Sequence, residues 1–129
     1  MNRATSKSRD SKLWRDSYYH KLFGLKAAQQ AERVLSFFEK ENPRDDRPRK
    51  AIEAIKAWAK GRRKLGMAEV RKLSLDSHAA ARKAKSDAAK FAARAAGQAV
   101  ATWHVPTHAM AVPYYVCKAL SSKTSKKKL

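Results

Sequence analysis

Residues 88–120, AAKFAARAAGQAVATWHVPTHAMAVPYYVCKAL, limit the possible folds of this chain more than any other stretch. Ala88, Ala92, Ala95, Ala96, Ala99 and Val100 recur at helical spacing, with Phe91 and Trp103 as the large anchors. So small a face cannot fill a core by itself. It fits a central helix that its neighbours approach closely, at the short end of interaxial distances. Gly97 inside this helix costs about 1 kcal/mol against alanine unless close packing compensates. The run breaks at His104-Val105-Pro106, where Pro106 either opens a further helix or kinks a continuous one. Met110, Tyr114 and Cys117 then share a stripe, and Pro113 within it predicts a bend near residues 109–113.

The rest of the chain agrees with an all-α fold. Runs of alternating β-branched residues are absent, and only four glycines and four prolines punctuate 129 residues. A first amphipathic segment begins at Ser11, with Asp10 or Ser11 as its cap, Trp14, Tyr18 and Leu22 on one stripe and Gly24 at its end. A second helix is expected over residues 25–41, burying Ala28, Ala31, Val34, Leu35 and Phe38 and stopped by Asn42-Pro43. A third follows an Asp46 N-cap, with Arg47 and Pro48 in its first turn and Gly61 closing it. A fourth spans residues 67–83, with apolar contacts from Met67, Val70, Leu73 and Leu75 and a structural histidine, His78, near that face. Ser86 or Asp87 caps the alanine-rich helix. The expected architecture is a compact bundle of five to six helices over residues 11–120. A basic arm at residues 1–10 and a lysine-rich tail at 121–129 are expected to be disordered.

The formal net charge of +19 calls for an anionic partner, unless the lysine-rich ends serve only solubility. A single cysteine, Cys117, rules out an internal disulfide and fits a reducing compartment. No stretch approaches the roughly 20 apolar residues of a membrane span, and the first residues lack the apolar core of a secretory signal. A cytoplasmic protein without membrane attachment is therefore expected.

Two blocks and a short element between them resemble a known group. Ala31-Glu32-Arg33-Val34-Leu35 precedes Asp45-Asp46-Arg47-Pro48-Arg49-Lys50-Ala51-Ile52-Glu53-Ala54, and His78-Ala79-Ala80-Ala81-Arg82 lies between the blocks. The second block runs from Ala92-Ala93-Arg94-Ala95-Ala96-Gly97-Gln98 to His104-Val105-Pro106-Thr107-His108-Ala109. In this order they resemble the immunity-protein-five-like group of small helical bacterial immunity proteins, over roughly residues 25–120. The resemblance implies a cytoplasmic all-α protein that protects a bacterium by binding a cognate protein toxin. It carries over no catalytic residue. Three positions depart from the group's pattern: Gln98 where histidine is frequent, Trp103 where the residue is smaller, and Pro113 where a small helix former is usual.

Among candidate sites, His104 and His108 lie four apart, the spacing that sets two imidazoles on one helical face. A zinc centre needs a third ligand, and residues 88–129 hold no Asp or Glu to supply one. No metal and no other cofactor is therefore expected, and the pair is expected to hydrogen-bond backbone carbonyls freed by Pro106. A small metal-dependent enzyme at this pair ranks third among the functions. Asp45, Arg47 and Arg49 can form bidentate ties to another helix or to a partner. Tyr114 and Tyr115 either fill the core or supply interface aromatics, and Trp103 joins the partner-binding candidates. Cys117, on an apolar stripe, is expected to be buried and inert. No phosphate loop, nucleophile elbow or carboxylate pair points to catalysis. The alternative to toxin binding is a basic nucleic-acid-associated protein, with Arg62, Arg63, Lys64, Arg71 and Lys72 contacting phosphates. The sequence leaves the oligomeric state open.

Overall fold

The computed structural model describes residues 17–128, with side chains to Lys123. Among the described residues five helices follow one another: α1 (Tyr18–Glu41), α2 (Arg47–Ala59), α3 (Met67–Lys83), α4 (Asp87–Ala101) and α5 (His108–Lys128). The described residues contain no strand. None of their helices is long and apolar enough to cross a membrane. The expected arm at residues 1–10, the Asp10 or Ser11 cap and Trp14 lie outside the described residues. α5 continues past Leu120, the boundary expected for the helical domain.

The alanine-rich helix α4 is the hub. It packs against all four other described helices, while α1 also meets α2 and α5, and α2 meets α3. Ala88, Ala89, Ala92, Ala93, Ala95, Ala96, Gly97, Ala99 and Val100 are all buried, so α4 is closed on several sides at once. Bulk comes from its neighbours, in Phe38, Ile52, Ile55, Val70 and Val112. Helices can draw together around such a surface because a methyl group is the largest thing most of it presents.

Close approach is visible atom by atom. Ser77 Oγ donates to the Ala93 carbonyl at 2.8 Å and Ser74 Oγ to the Gly97 carbonyl at 3.0 Å, so α3 bonds directly to the backbone of α4. The His78 ring lies over Gly97: an ideal Cβ there would sit 2.7 Å from His78 Nε2. Gly97 is thus the gap into which His78 fits. Arg94 Nη1 donates to His78 Nδ1 at 2.9 Å, which places the proton of the neutral ring on Nε2. Burial, reinforced by Arg94, Arg82 and His108, pushes the His78 pKa down to about 4. The expectation of a structural histidine holds.

Helix ends follow local chemistry. Ser86 Oγ accepts from Ala89 N at 3.1 Å and caps α4. The Glu41 carboxylate accepts from Lys85 N at 2.6 Å and from Ser86 N at 3.0 Å, and the Ser86 hydroxyl also donates to it. That one side chain fastens the end of α1 to the start of α4. α2 ends in a Schellman arrangement around Gly61, whose φ is 75°: Gly61 N donates to Trp58 O and Arg62 N to Ala57 O.

Several expectations are corrected. Gly24 does not end a helix; α1 is continuous from Tyr18, capped by Ser17, whose side chain accepts from His20 N. Gly24 is buried, and a Cβ on it would lie 3.1 Å from Trp58, so a close helix crossing accounts for the glycine. The buried stripe of α1 runs through His20, Gly24, Ala27 and Ala31, which turns Tyr18 outward. Asp46 sits at the N-cap of α2 but makes no side-chain cap bond; Asp45 Oδ1 takes Arg47 N at 3.2 Å instead. Met67 and Leu75 are exposed on α3, where the inward stripe is Val70, Ser77, Ala80 and Ala81. On α5 the inward residues are Val112, Val116 and Ala119, so Met110, Tyr114 and Cys117 face outward. Pro106 opens no helix: the residues after α4 form turns, α5 starts at His108, and it is helical through Pro113.

Candidate functional site at the junction of α4 and α5

The segment between α4 and α5, residues 102–107, lies where the N-termini of α1, α3 and α5 meet the C-termini of α2 and α4. Its position is set from beneath. The buried His20 ring bonds the Thr102 carbonyl through Nε2 at 3.0 Å and packs edge-on against Trp58, centroids 4.6 Å apart. Trp103, 7 % exposed, closes the core beside it. The turn is held by backbone bonds from His104 and Val105 to the Ala101 carbonyl.

Two openings flank this segment. The larger, about 530 Å³, is lined by Lys21, Trp58, Gly61, Arg62, Arg63, Lys64, Leu65 and Trp103. Its floor is aromatic, its rim is cationic, and among the described residues no carboxylate lines it. The smaller, about 170 Å³, is lined mainly by apolar atoms of Met67, Val70, Leu75 and Ala101, with Arg71, Ser74, His104 and His108 at its edge. Residues that were separate candidates in the sequence thus come together: Trp103 with Arg62, Arg63 and Lys64, and the two histidines with Arg71.

His108 of the pair is held differently from expectation. His108 Nδ1 donates to Gln98 Oε1 at 2.7 Å, so a side chain of α4, and no freed carbonyl, orients this ring. Burial, with His104 next, lowers the His108 pKa and favours the neutral imidazole. His104 is exposed. Among the described residues no group of three or more His, Cys, Asp or Glu side chains converges to hold a metal ion.

The other candidates lie elsewhere. Arg47 grips Asp45 with Nε and Nη2, at 2.9 and 2.6 Å, and this hydrogen bonding holds the Asp45 carboxyl below its usual pKa. Both residues line an open depression of about 640 Å³ with Asn42, Pro43, Arg44 and Asp46. Arg49 forks onto Glu39 with two bonds of 2.6 Å, tying α2 to α1 and lowering the Glu39 pKa. Lys72 pairs with Asp76 at 2.9 Å on the surface of α3. Tyr115 is half-buried and stacks on Phe91, centroids 6.2 Å apart. Tyr114 is 57 % exposed beneath Lys118 Nζ, and Cys117 is exposed, contrary to the expected burial.

Sequence reasoning missed Lys21, Trp58 and His20 as parts of this junction. Lys21 had no signal of its own among the chain's many lysines, and it joins Arg62 only because α1 crosses the end of α2. Gln98 carried a signal in being a polar residue on an alanine-rich helix ten positions from His108.

A model of the family described as Imm-5 like putative immunity protein matches residues 19–129. No curated protein and no solved structure matches the chain.

Proposed function

The chain belongs to the Imm-5 like immunity family, and on that premise we propose that it is a non-enzymatic binding protein that neutralises a bacterial toxin by direct binding in the cytoplasm. The observation that carries this reading is the family match, which spans the whole described bundle. The surface offers a contact area consistent with it. Met110, at 77 % exposed, and Tyr114 stand outward on α5, and His104 stands outward on the segment before it. The rigid ring of Tyr114 supplies contact area at little cost in side-chain order, and the flexible thioether of Met110 can adapt to the shape it meets.

Charge selects the class of toxin surface. Residues 88–129 carry lysine and arginine but no Asp or Glu, so α4 beyond its first residue, Asp87, together with α5 and the segment joining them, adds only positive charge. An acidic toxin face would be steered onto this surface, with association faster by roughly 10- to 1,000-fold at low salt. Trp103 is almost entirely buried and acts by supporting the segment that carries His104. Asp45, Arg47 and Arg49 are engaged within the bundle, and their contribution is to brace the start of α2.

The test is co-expression with the toxin encoded beside the gene. Rescue of growth, together with a complex that survives size-exclusion chromatography, is the expected outcome. If the purified proteins form no complex and the toxin kills at the same dose with and without this chain, the reading is wrong.

A further inference from the structure

The basic cleft beside Trp103 asks for an explanation that the bundle itself does not supply. Three separate parts of the chain build it: Lys21 from α1, Trp58 with residues 61–65 from the end of α2, and Trp103 from the segment after α4. Cations at a helix C-terminus are ordinarily explained by its free carbonyls. Here three of those carbonyls are already engaged by backbone N–H groups: Lys56 O by Lys60, Ala57 O by Arg62, and Trp58 O by Gly61. Ion pairing covers only one of the four cations, since Arg63 Nη2 meets Glu69 Oε2 at 2.5 Å. Lys21 lies 5.9 Å from the centre of the Trp58 ring. Among the described residues, no carboxylate pairs with Lys21, Arg62 or Lys64.

Three cations around one opening, none with a carboxylate partner among the described residues, identify the ligand class by charge. A carboxylate brings one negative charge, whereas a phosphate group brings about 1.5 to 2 near neutral pH. Two linked phosphates therefore match Lys21, Arg62 and Lys64 within a space of about 530 Å³. The tryptophans do not add selectivity for a ring. Trp58 is 4 % exposed and Trp103 almost as enclosed, so each forms floor and offers no open face for stacking.

We propose that this cleft binds a ligand carrying two or more linked phosphates, gripped by Lys21, Arg62 and Lys64 over the Trp58–Trp103 floor. The proposal does not depend on toxin binding, and either activity can fail without the other.

The experiment is calorimetric titration of the full chain with inorganic pyrophosphate at ~50 mM salt, where phosphate contacts are strong. One-to-one saturation is expected. Arg62→Glu and Lys64→Glu are exposed, unpaired positions, and each reversal is expected to weaken binding about tenfold or more. Lys118→Glu on α5 removes the same overall charge and is expected to leave binding within about twofold. Absence of saturable binding, or equal weakening by all three reversals, overturns the proposal, the latter because it shows a diffuse field. A short polyglutamate peptide that binds as tightly as pyrophosphate overturns the phosphate assignment. Competition then checks the linkage. Displacement of pyrophosphate by a nucleoside triphosphate supports the proposal; equally effective displacement by a single-stranded oligothymidylate, whose phosphodiesters carry one charge each and are separated by sugars, overturns the linked-phosphate assignment.

Discussion

Gly97→Ala is the substitution in which helix propensity and packing make opposite predictions. In an isolated helix the change gains about 1 kcal/mol, because alanine loses less backbone freedom than glycine. Here the new methyl would meet His78 Nε2 at 2.7 Å and its Cδ2 and Cε1 at 3.0 Å. Carbon contacts are comfortable only near 3.5–4.0 Å, so the ring has to retreat. It is tethered on its far side by Arg94 at 2.9 Å, and retreat strains that bond or the packing around it. Overpacking of this kind costs about 1–3 kcal/mol. The net expectation is a loss of about 1 kcal/mol, with the clash outweighing the propensity gain. Removing the ring first should reverse the sign: in a His78→Ala background, Gly97→Ala should stabilise by up to about 1 kcal/mol. Urea unfolding of the four proteins at pH 7, followed by circular dichroism at 222 nm, measures the cycle. A coupling of about 1–3 kcal/mol is expected. If Gly97→Ala stabilises both backgrounds equally, the ring does not occupy the gap and the account of α3 against α4 is wrong.

Acid should find the same histidine. The folded pKa of His78 is about 4 against an ordinary 6.5, so the unfolded chain takes up the proton first. Its contribution is present in full above pH 6.5 and is lost as pH falls toward 4. The full shift corresponds to about 3 kcal/mol, and partial solvent access reduces this to roughly 1–2 kcal/mol. His108 shifts in the same direction, whereas Asp45 and Glu39, held low by Arg47 and Arg49, lose their contributions only at still lower pH. Unfolding free energies at pH 7 and 4.5 should therefore converge between the native chain and His78→Gln, and parallel losses would contradict the assignment. Glu41→Gln keeps the shape of the side chain but weakens its grip on Lys85 N and Ser86 N. It should cost about 1–2 kcal/mol and speed hydrogen exchange at those two amides, and unchanged exchange would count against the tie. Cys117 should react fully with a thiol reagent in the folded protein, with no further reaction on adding denaturant; a thiol released only by unfolding would place α5 in another rotation.

What the sequence made legible was the chemistry that acts over a turn or two. Ser86 as a cap, Gly61 as a stop and Met67–Lys83 as a helix all rest on neighbours close in the chain, and all hold. The hub was legible too, because a face made of alanine admits few other uses. Gly24 and Gly61 show where such reasoning ends. Both follow an amphipathic run, yet one turns the chain at φ 75° and the other lies inside a helix beneath Trp58. The difference is made by an aromatic ring that comes from α2. α5 shows the same limit, since two apolar stripes compete on one helix. Met110, Tyr114 and Cys117 are the bulkier set, but Val112, Val116 and Ala119 are the set turned inward. At the candidate site, periodicity paired His104 with His108, while tertiary packing paired His108 with Gln98 and brought Trp103 to the Arg62 cleft.

The hub's place in the chain also imposes an order in time. A growing polypeptide that has reached Lys83 already contains α1, α2 and α3, but the helix on which all three pack has not yet been made. Until Ala101 is added, their apolar sides have no common surface to close upon. Arrest of synthesis before α4 should therefore leave a product that can make only the α1–α2 and α2–α3 contacts, without the helix that joins them into one core.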